Sequence, residues 1–312
     1  MKPDVLMLYP TRPKAMAALE AAYALHRYDT AADKAAVLAA AGPVCRAIVT
    51  NGHASLTREM VEHLPKLEIV ACSSAGYESI DLAALTDRGI RLTNTSAALY
   101  DDVADMAILL MLAARRDLVR AHAYVASGDW GRQGMYPLQS SIRGKRVGIV
   151  GMGTIGKAIA RRCEPMGVEI AYYARSDKGV PWRFVADLEA LARDSDILIV
   201  IVPGGPETDK LIDARILAAL GPTGTLINVA RGSVVDETAL IAALGSGALG
   251  SAGLDVFRTE PNPDPALIAL PNVTLYPHHA SGTEETRDAM AQLVVDNLAA
   301  FYAGLPLLTP VN

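Results

Sequence analysis

Val147-Gly148-Ile149-Val150 runs straight into Gly151-Met152-Gly153-Thr154-Ile155-Gly156. An apolar strand that feeds a Gly-x-Gly-x-x-Gly turn and then a helix brings backbone N–H groups and a helix N-terminus against a pyrophosphate. Gly151 allows the tight turn, Gly153 lets backbone approach the phosphates, and Gly156 lets helix and strand pack closely. Met152, Thr154 and Ile155 are carried into the same contact. At the end of the next strand, where an NAD site expects an acid for the ribose 2′-hydroxyl, stands Ala174, 23 residues after Gly151. Arg175, Ser176 and Lys178 follow it. A guanidinium and a hydroxyl suit a 2′-phosphate, which favours NADP over NAD. The alternative is a solvated Arg175 with Asp177 on the ribose.

Further along, three strand ends carry polar groups. Asn228-Val229-Ala230-Arg231-Gly232 offers an arginine, Asp255 and Glu260 offer carboxylates, and Pro277-His278-His279 offers imidazoles. Ligands of doubly wound sheets sit at strand C-termini. An arginine, a carboxylate and a histidine converging there beside a nicotinamide make a hydride-transfer site for a 2-oxo acid. Arg231 anchors the substrate carboxylate and polarises the carbonyl, His278 supplies the proton, and Glu260 keeps it charged and oriented. Val202, Pro203, Val229, Ala230 and Asp255, together with Gly282, are expected to line the cofactor. No metal is expected, because Cys45, Cys72 and Cys163 form no Cys-x-x-Cys pair and no histidine stands at zinc-like spacing. All three are read as buried thiols.

The framework that must hold these residues is an alternation of short apolar runs with longer helical patterns, the signature of stacked βαβ units. Val5–Leu8, Ala47–Val49, Glu68–Ala71 and Ile90–Leu92 read as one set of strands. Arg146–Val150, Glu169–Tyr173, Ile197–Val202, Thr225–Val229, Ser251–Asp255 and Val273–Leu275 read as a second, a six-stranded set. Asp101–Val125 reads as one long helix between them, and Glu284–Tyr302 as a helix that packs back on the first set. The fold class is therefore α/β, with two doubly wound domains. A Rossmann dinucleotide-binding domain covers 98–284, and a smaller flavodoxin-like substrate domain covers 1–97 plus 285–312, with a cleft between them for a small ligand.

Composition narrows the function classes. The 312 residues are 51% hydrophobic and 20% charged, which suits a folded globular protein. A net charge of −5, scattered cations and 5% aromatics argue against nucleic acid as a partner. The longest apolar run, Met106–Ala114, has nine residues against the ~18 of a membrane span, so no membrane partner is expected. Val5–Leu8, closed by Pro10, Arg12 and Pro13, is too short for a secretory segment, and the chain is read as cytoplasmic.

With Asn228 to Gly232, Asp255-Val256-Phe257 to Glu260-Pro261, and Pro277-His278 to Ser281-Gly282-Thr283 in view, the chain resembles the D-isomer-specific 2-hydroxyacid dehydrogenase family from about Val5 to Val311. The resemblance implies that Arg231, Glu260 and His278 are catalytic and that His279 is a bystander. Ser74-Ala75-Gly76-Tyr77 resembles the family loop whose backbone N–H groups bind the substrate carboxylate. It implies substrate contacts at Ala75, Gly76 and Tyr77 beside Arg231 and His278. Leu64-Pro65-Lys66-Leu67-Glu68, Thr93-Asn94-Thr95 and Pro306 to Val311 resemble the glyoxylate/hydroxypyruvate and hydroxyphenylpyruvate reductases of that family. That likeness implies a small 2-oxo or 2-hydroxy acid as substrate, NADPH as cofactor and a homodimer. A same-fold dehydrogenase of another anion and a cofactor-sensing binding protein are the alternatives. Asn51, Gly52 and His53 fit either a pocket wall or an ordinary polar loop. Trp130, Met135 and Tyr136 stand in a Gly-punctuated stretch where related enzymes make dimer contacts.

Overall fold

Runs of branched and apolar residues such as Ile197–Val200 have no exposed face to dilute them. Strands of this kind belong in the middle of parallel sheets covered on both sides. In the computed structural model, which describes residues 2–312, they form two sheets in which every strand pair is parallel. The chain divides into two units, Met1–Leu99 with Ser281–Asn312, and Tyr100–Ala280.

In the first unit, β1 (Asp4–Met7), β2 (Ala24–Arg27), β3 (Ala47–Thr50), β4 (Ile69–Cys72) and β5 (Arg91–Thr93) lie in the order β2-β1-β3-β4-β5. β2 is an addition to the four expected strands. It is a half-buried edge that pairs only with β1, so Ala-Leu-His-Arg carries too little apolar signal to announce itself. The helix Glu284–Tyr302 returns to this unit and sets Val294, Leu298 and Phe301 into one core with Val5, Met7, Ala47, Val49, Ile69 and Ala71.

In the second unit, β6 (Arg146–Val150), β7 (Glu169–Tyr173), β8 (Arg183–Phe184), β9 (Ile197–Val200), β10 (Thr225–Asn228), β11 (Ser251–Leu254) and β12 (Val273–Leu275) lie in the order β12-β11-β10-β9-β6-β7-β8. The sheet thus has seven strands rather than six. The added strand, β8, is a two-residue edge too short for any periodicity. Strand order reverses beside β6, the switch point at which a crevice opens in such sheets.

The expected single helix Asp101–Val125 is two helices, Ser96–Arg115 and Leu118–Ala126. Asp117 between them sits at φ +51°, a left-handed conformation through which a helix cannot continue and which Asp tolerates better than most residues. Its carboxylate accepts the Tyr136 hydroxyl at 2.6 Å, tying the following segment to the break. Among the described residues, no helix is long and apolar enough to cross a membrane.

Candidate active site

The glycines of the turn after β6 have three different surroundings. Gly151 sits at φ +105°, and a Cβ there would lie 2.4 Å from the Ile201 carbonyl oxygen and 3.0 Å from Val202. A Cβ on Gly156 would lie 2.1 Å from the Gly151 carbonyl oxygen, so helix and turn touch through bare backbone. A Cβ on Gly153 would meet nothing within 4 Å. Gly153 caps the helix Thr154–Cys163, so the open space lies at the first N–H groups of that helix, which have no partner inside it. A pyrophosphate fits there. Met152 is buried and offers only its backbone, while Thr154 is exposed and Ile155 half-buried.

The end of β7 separates the two expected ribose partners. The Asp177 carboxylate is turned back into its own loop, accepting the Tyr172 hydroxyl at 2.5 Å and the Gly179 N–H at 3.0 Å. Those bonds hold its carboxyl below the usual carboxylate range, the Tyr172 bond most of all. The Arg175 side chain, by contrast, is 89% exposed, 3.3 Å from Glu207. Lys178 Nζ donates to Ser176 Oγ at 3.3 Å. The loop therefore presents two cations and a hydroxyl to solvent. A 2′-phosphate finds donors here, whereas Asp177 has its Oδ1 turned to Tyr172 and Gly179.

Beyond β10, buried Asn228 builds the turn that aims Arg231. Its Oδ1 accepts the Ala230 N–H and its Nδ2 donates to the Arg231 carbonyl, both at 3.0 Å. Val229 and Ala230 are consequently buried, while Val202 beyond β9 is half-buried beside Gly151 and Pro203 is exposed. A Cβ on Gly232 would lie 1.9 Å from the Phe257 carbonyl. The Arg231 loop is thereby pressed against the segment that leads from β11 to Glu260.

Glu260 is held at both oxygens. Oε1 accepts the Phe257 N–H at 2.9 Å, and Oε2 lies 2.6 Å from His278 Nδ1. With a carboxylate at Nδ1, the mobile proton of His278 belongs to Nε2. Both side chains are about 30% exposed, His278 at 30% and Glu260 at 29%, so the pair is shielded yet reachable. His278 occupies φ +48°, a conformation a non-glycine residue adopts only when its surroundings enforce it. Asp255 is what enforces it. Its carbonyl accepts the His278 N–H at 2.6 Å, and its carboxylate accepts those of His279 at 2.8 Å and Ala280 at 3.1 Å. Burial pushes the Asp255 carboxyl above its ordinary range. His279, next along, contributes this backbone contact.

In the first unit, the backbone N–H groups of Ala75, Gly76 and Tyr77 make no hydrogen bond among the described residues. The loop is held instead by its carbonyls, with Asn94 Nδ2 donating to Ala75 O at 3.1 Å. Gly282 also falls in this unit. Two residues that position the site, Asn228 and Asn94, were not singled out from sequence. An asparagine at a strand end reads as a turn former, and only its hydrogen bonds reveal the second role. Among the described residues, no group of three or more His, Cys, Asp or Glu side chains could hold a metal.

Comparison with known proteins places this arrangement. The family model described as D-isomer specific 2-hydroxyacid dehydrogenase, NAD binding domain, matches residues 108–280. Hydroxyphenylpyruvate reductase from Plectranthus scutellarioides is 44% identical over 308 residues, covering 98% of this chain and 98% of that protein. 2-ketogluconate reductase from Gluconobacter oxydans (strain 621H) is 43% identical over 313 residues, covering 99% of each. Among solved structures, the NADPH-dependent glyoxylate/hydroxypyruvate reductase of Sinorhizobium meliloti, in complex with NADP and malonate, matches with a TM-score of 0.90 and 40% identity. That match covers 100% of this chain and 97% of the other. Likeness that runs the length of the chain, with the matched domain reaching from the Ser96–Arg115 helix to the His278 loop, makes this chain a member of the D-isomer specific 2-hydroxyacid dehydrogenase family.

Proposed function

We propose that the chain is an NADPH-preferring reductase of small 2-oxo acids, giving D-2-hydroxy acids. The observation that carries it is the 2.6 Å contact between His278 Nδ1 and Glu260, on the same edge of the sheet as Arg231 and the open turn at Gly153. Gly151 to Gly156 would hold NADPH at that turn, with Arg175 and Ser176 at its 2′-phosphate, and the cofactor would supply a hydride to the carbonyl carbon of the substrate. Arg231 and the N–H groups of Ala75, Gly76 and Tyr77 hold the substrate carboxylate, and Arg231 also polarises the carbonyl. His278 Nε2 delivers its proton to the carbonyl oxygen as negative charge builds there, and Glu260, against Nδ1, orients the ring for that delivery. The Asp255 contacts keep the ring in place. The second unit is then the dinucleotide-binding domain and the first the substrate domain.

The relatives are named for hydroxyphenylpyruvate, 2-ketogluconate and glyoxylate or hydroxypyruvate, all 2-oxo acids of modest size. Initial rates with NADPH and NADH on glyoxylate, hydroxypyruvate, pyruvate and 4-hydroxyphenylpyruvate test the assignment. Turnover with NADPH well above NADH on at least one acid is expected; no turnover with either cofactor overturns it. A homodimer and a cytoplasmic setting complete the proposal. Leu118, Val119, Val125, Trp130, Met135 and Leu138 are exposed apolar side chains within one stretch of the second unit, which supports the dimer. Three free cysteines buried in the two units suit a reducing compartment.

A further inference from the structure

A cavity of 260 Å³ in the first unit takes no part in the hydride and proton transfers. It lies beyond the C-terminal ends of β1, β3 and β4, and Tyr9, Thr11, Arg12, Asn51, Ser73 and Arg287 line it. No carboxylate is among its lining residues. Arg12 is committed, because its Nε donates to Asp288. Arg287 is not. This half-buried residue near the start of the Glu284–Tyr302 helix makes no side-chain hydrogen bond or ion pair among the described residues. Asn51 adds to the bias, because its Oδ1 accepts the N–H groups of His53 at 3.0 Å and Ala54 at 2.9 Å. Its Nδ2 is left with two protons to give.

This cavity adjoins the loop assigned to the substrate carboxylate. Ser73 immediately precedes Ser74–Tyr77, and a Cβ on Gly52, beside Asn51, would lie 2.6 Å from Gly76 O and 2.7 Å from Ser74 Oγ. The two loops are pressed together, so whatever the N–H groups of Ala75 to Tyr77 hold has the cavity next to it. At several times the ~30 Å³ of one water, the space exceeds the needs of a two-carbon acid. A guanidinium partly removed from water and lacking a partner gains most from an anion, with which its hydrogen bonds are charge-assisted.

We propose that this cavity is a subsite for a second, distal carboxylate, with Arg287 as its principal partner and Asn51 and Ser73 as supporting donors. 2-Oxo dicarboxylic acids thereby join the substrates. The proposal rests on the reductase activity proposed above, and the experiment separates the two. In the full-length protein and its Arg287→Met variant, kcat/KM with NADPH is measured for 2-oxoglutarate and for 2-oxovalerate, which has the same five-carbon chain without the distal carboxylate. Wild type should favour 2-oxoglutarate by about tenfold or more, the scale of a hydrogen-bonded charge pair, and Arg287→Met should lose most of that preference. Equal kcat/KM for the two acids in wild type, or an undiminished preference in the variant, overturns the subsite. Glyoxylate turnover in wild type reports on the reductase activity alone. Should glyoxylate and both probes fail to turn over, calorimetric titration of the two acids into both proteins reads the subsite directly. The same tenfold contrast is then expected in Kd, and equal Kd values overturn it.

Discussion

His278 is fixed from two directions, by Glu260 on its ring and by Asp255 on its backbone. Proton delivery of this kind contributes about 10²–10⁴-fold to rate, so His278→Ala should lower kcat by that order while the NADPH Kd moves less than about twofold. Stopped-flow binding beside steady-state rates would check it, and a variant with full activity would remove His278 from the mechanism. At the cofactor end the prediction is one of preference. Arg175 faces solvent with only Glu207 beside it, so Arg175→Ala should cut the NADPH-to-NADH ratio of kcat/KM by roughly tenfold, the scale of one charged hydrogen bond. An unchanged ratio would return the ribose to Asp177. Residues at this scale were the most legible in the sequence. Gly151 and Gly156 are forced by close backbone approach, and Arg231, Glu260 and His278 stand where strands end. The positioning roles of Asn228 and Asn94 are hidden in the sequence because the contacts that matter at both are made with backbone atoms that spacing does not reveal.

Among the elements, the central strands and the edges β5 and β12 announced themselves, whereas the edges β2 and β8 did not. β3 and β9 are buried throughout and read as apolar runs, whereas β2 and β8 are half-exposed and owe their pairing to the strand beside them. The helix break at Asp117 was equally hidden, since a left-handed backbone at an aspartate has no apolar periodicity to betray it. The end of the Ser96–Arg115 helix shows what such a break demands. Arg115 is 6% exposed, its guanidinium donating to the Thr223 carbonyl at 3.0 Å and to the Ser140 hydroxyl. Its Nε finds no partner, and burial lowers its affinity for a proton. The side chain pins the helix end and the Ser140 segment to the start of β10. Arg115→Met should therefore destabilise the second unit by about 1–3 kcal/mol through the hydrogen bonds lost at the Thr223 carbonyl, the Ser140 hydroxyl and the buried Thr225 hydroxyl. A urea midpoint equal to wild type would show that the methionine repays that loss by packing.

On the scale of the whole molecule, the exposed apolar stretch from Leu118 to Leu138 bears on assembly. If it is covered by a second copy, Val119→Asp should shift the protein toward monomer in light-scattering chromatography, with the reductase site of each chain chemically intact. A wild type already monomeric at micromolar concentration would place the dimer elsewhere or nowhere. The organisation into two units was legible because each set of strands carries its own alternation. That the last helix belongs with the first strands was legible only as a matter of economy, since Glu284–Tyr302 is too short to be a domain of its own.

The return of that helix also sets an order in time. Residues 100–280 have all their strands once synthesis passes Ala280, but the core around Val5, Met7 and Val49 is open until Val294, Leu298 and Phe301 emerge. At ~5–20 residues per second, the strands at the beginning of the chain wait about 15–60 s for the segment that closes them. A released chain ending at residue 283 should accordingly resist protease over 100–280 and be cut within 1–99, the reverse of the usual N-terminal-first sequence. The first strands are thus closed by the last helix, and their protection is expected to wait on it.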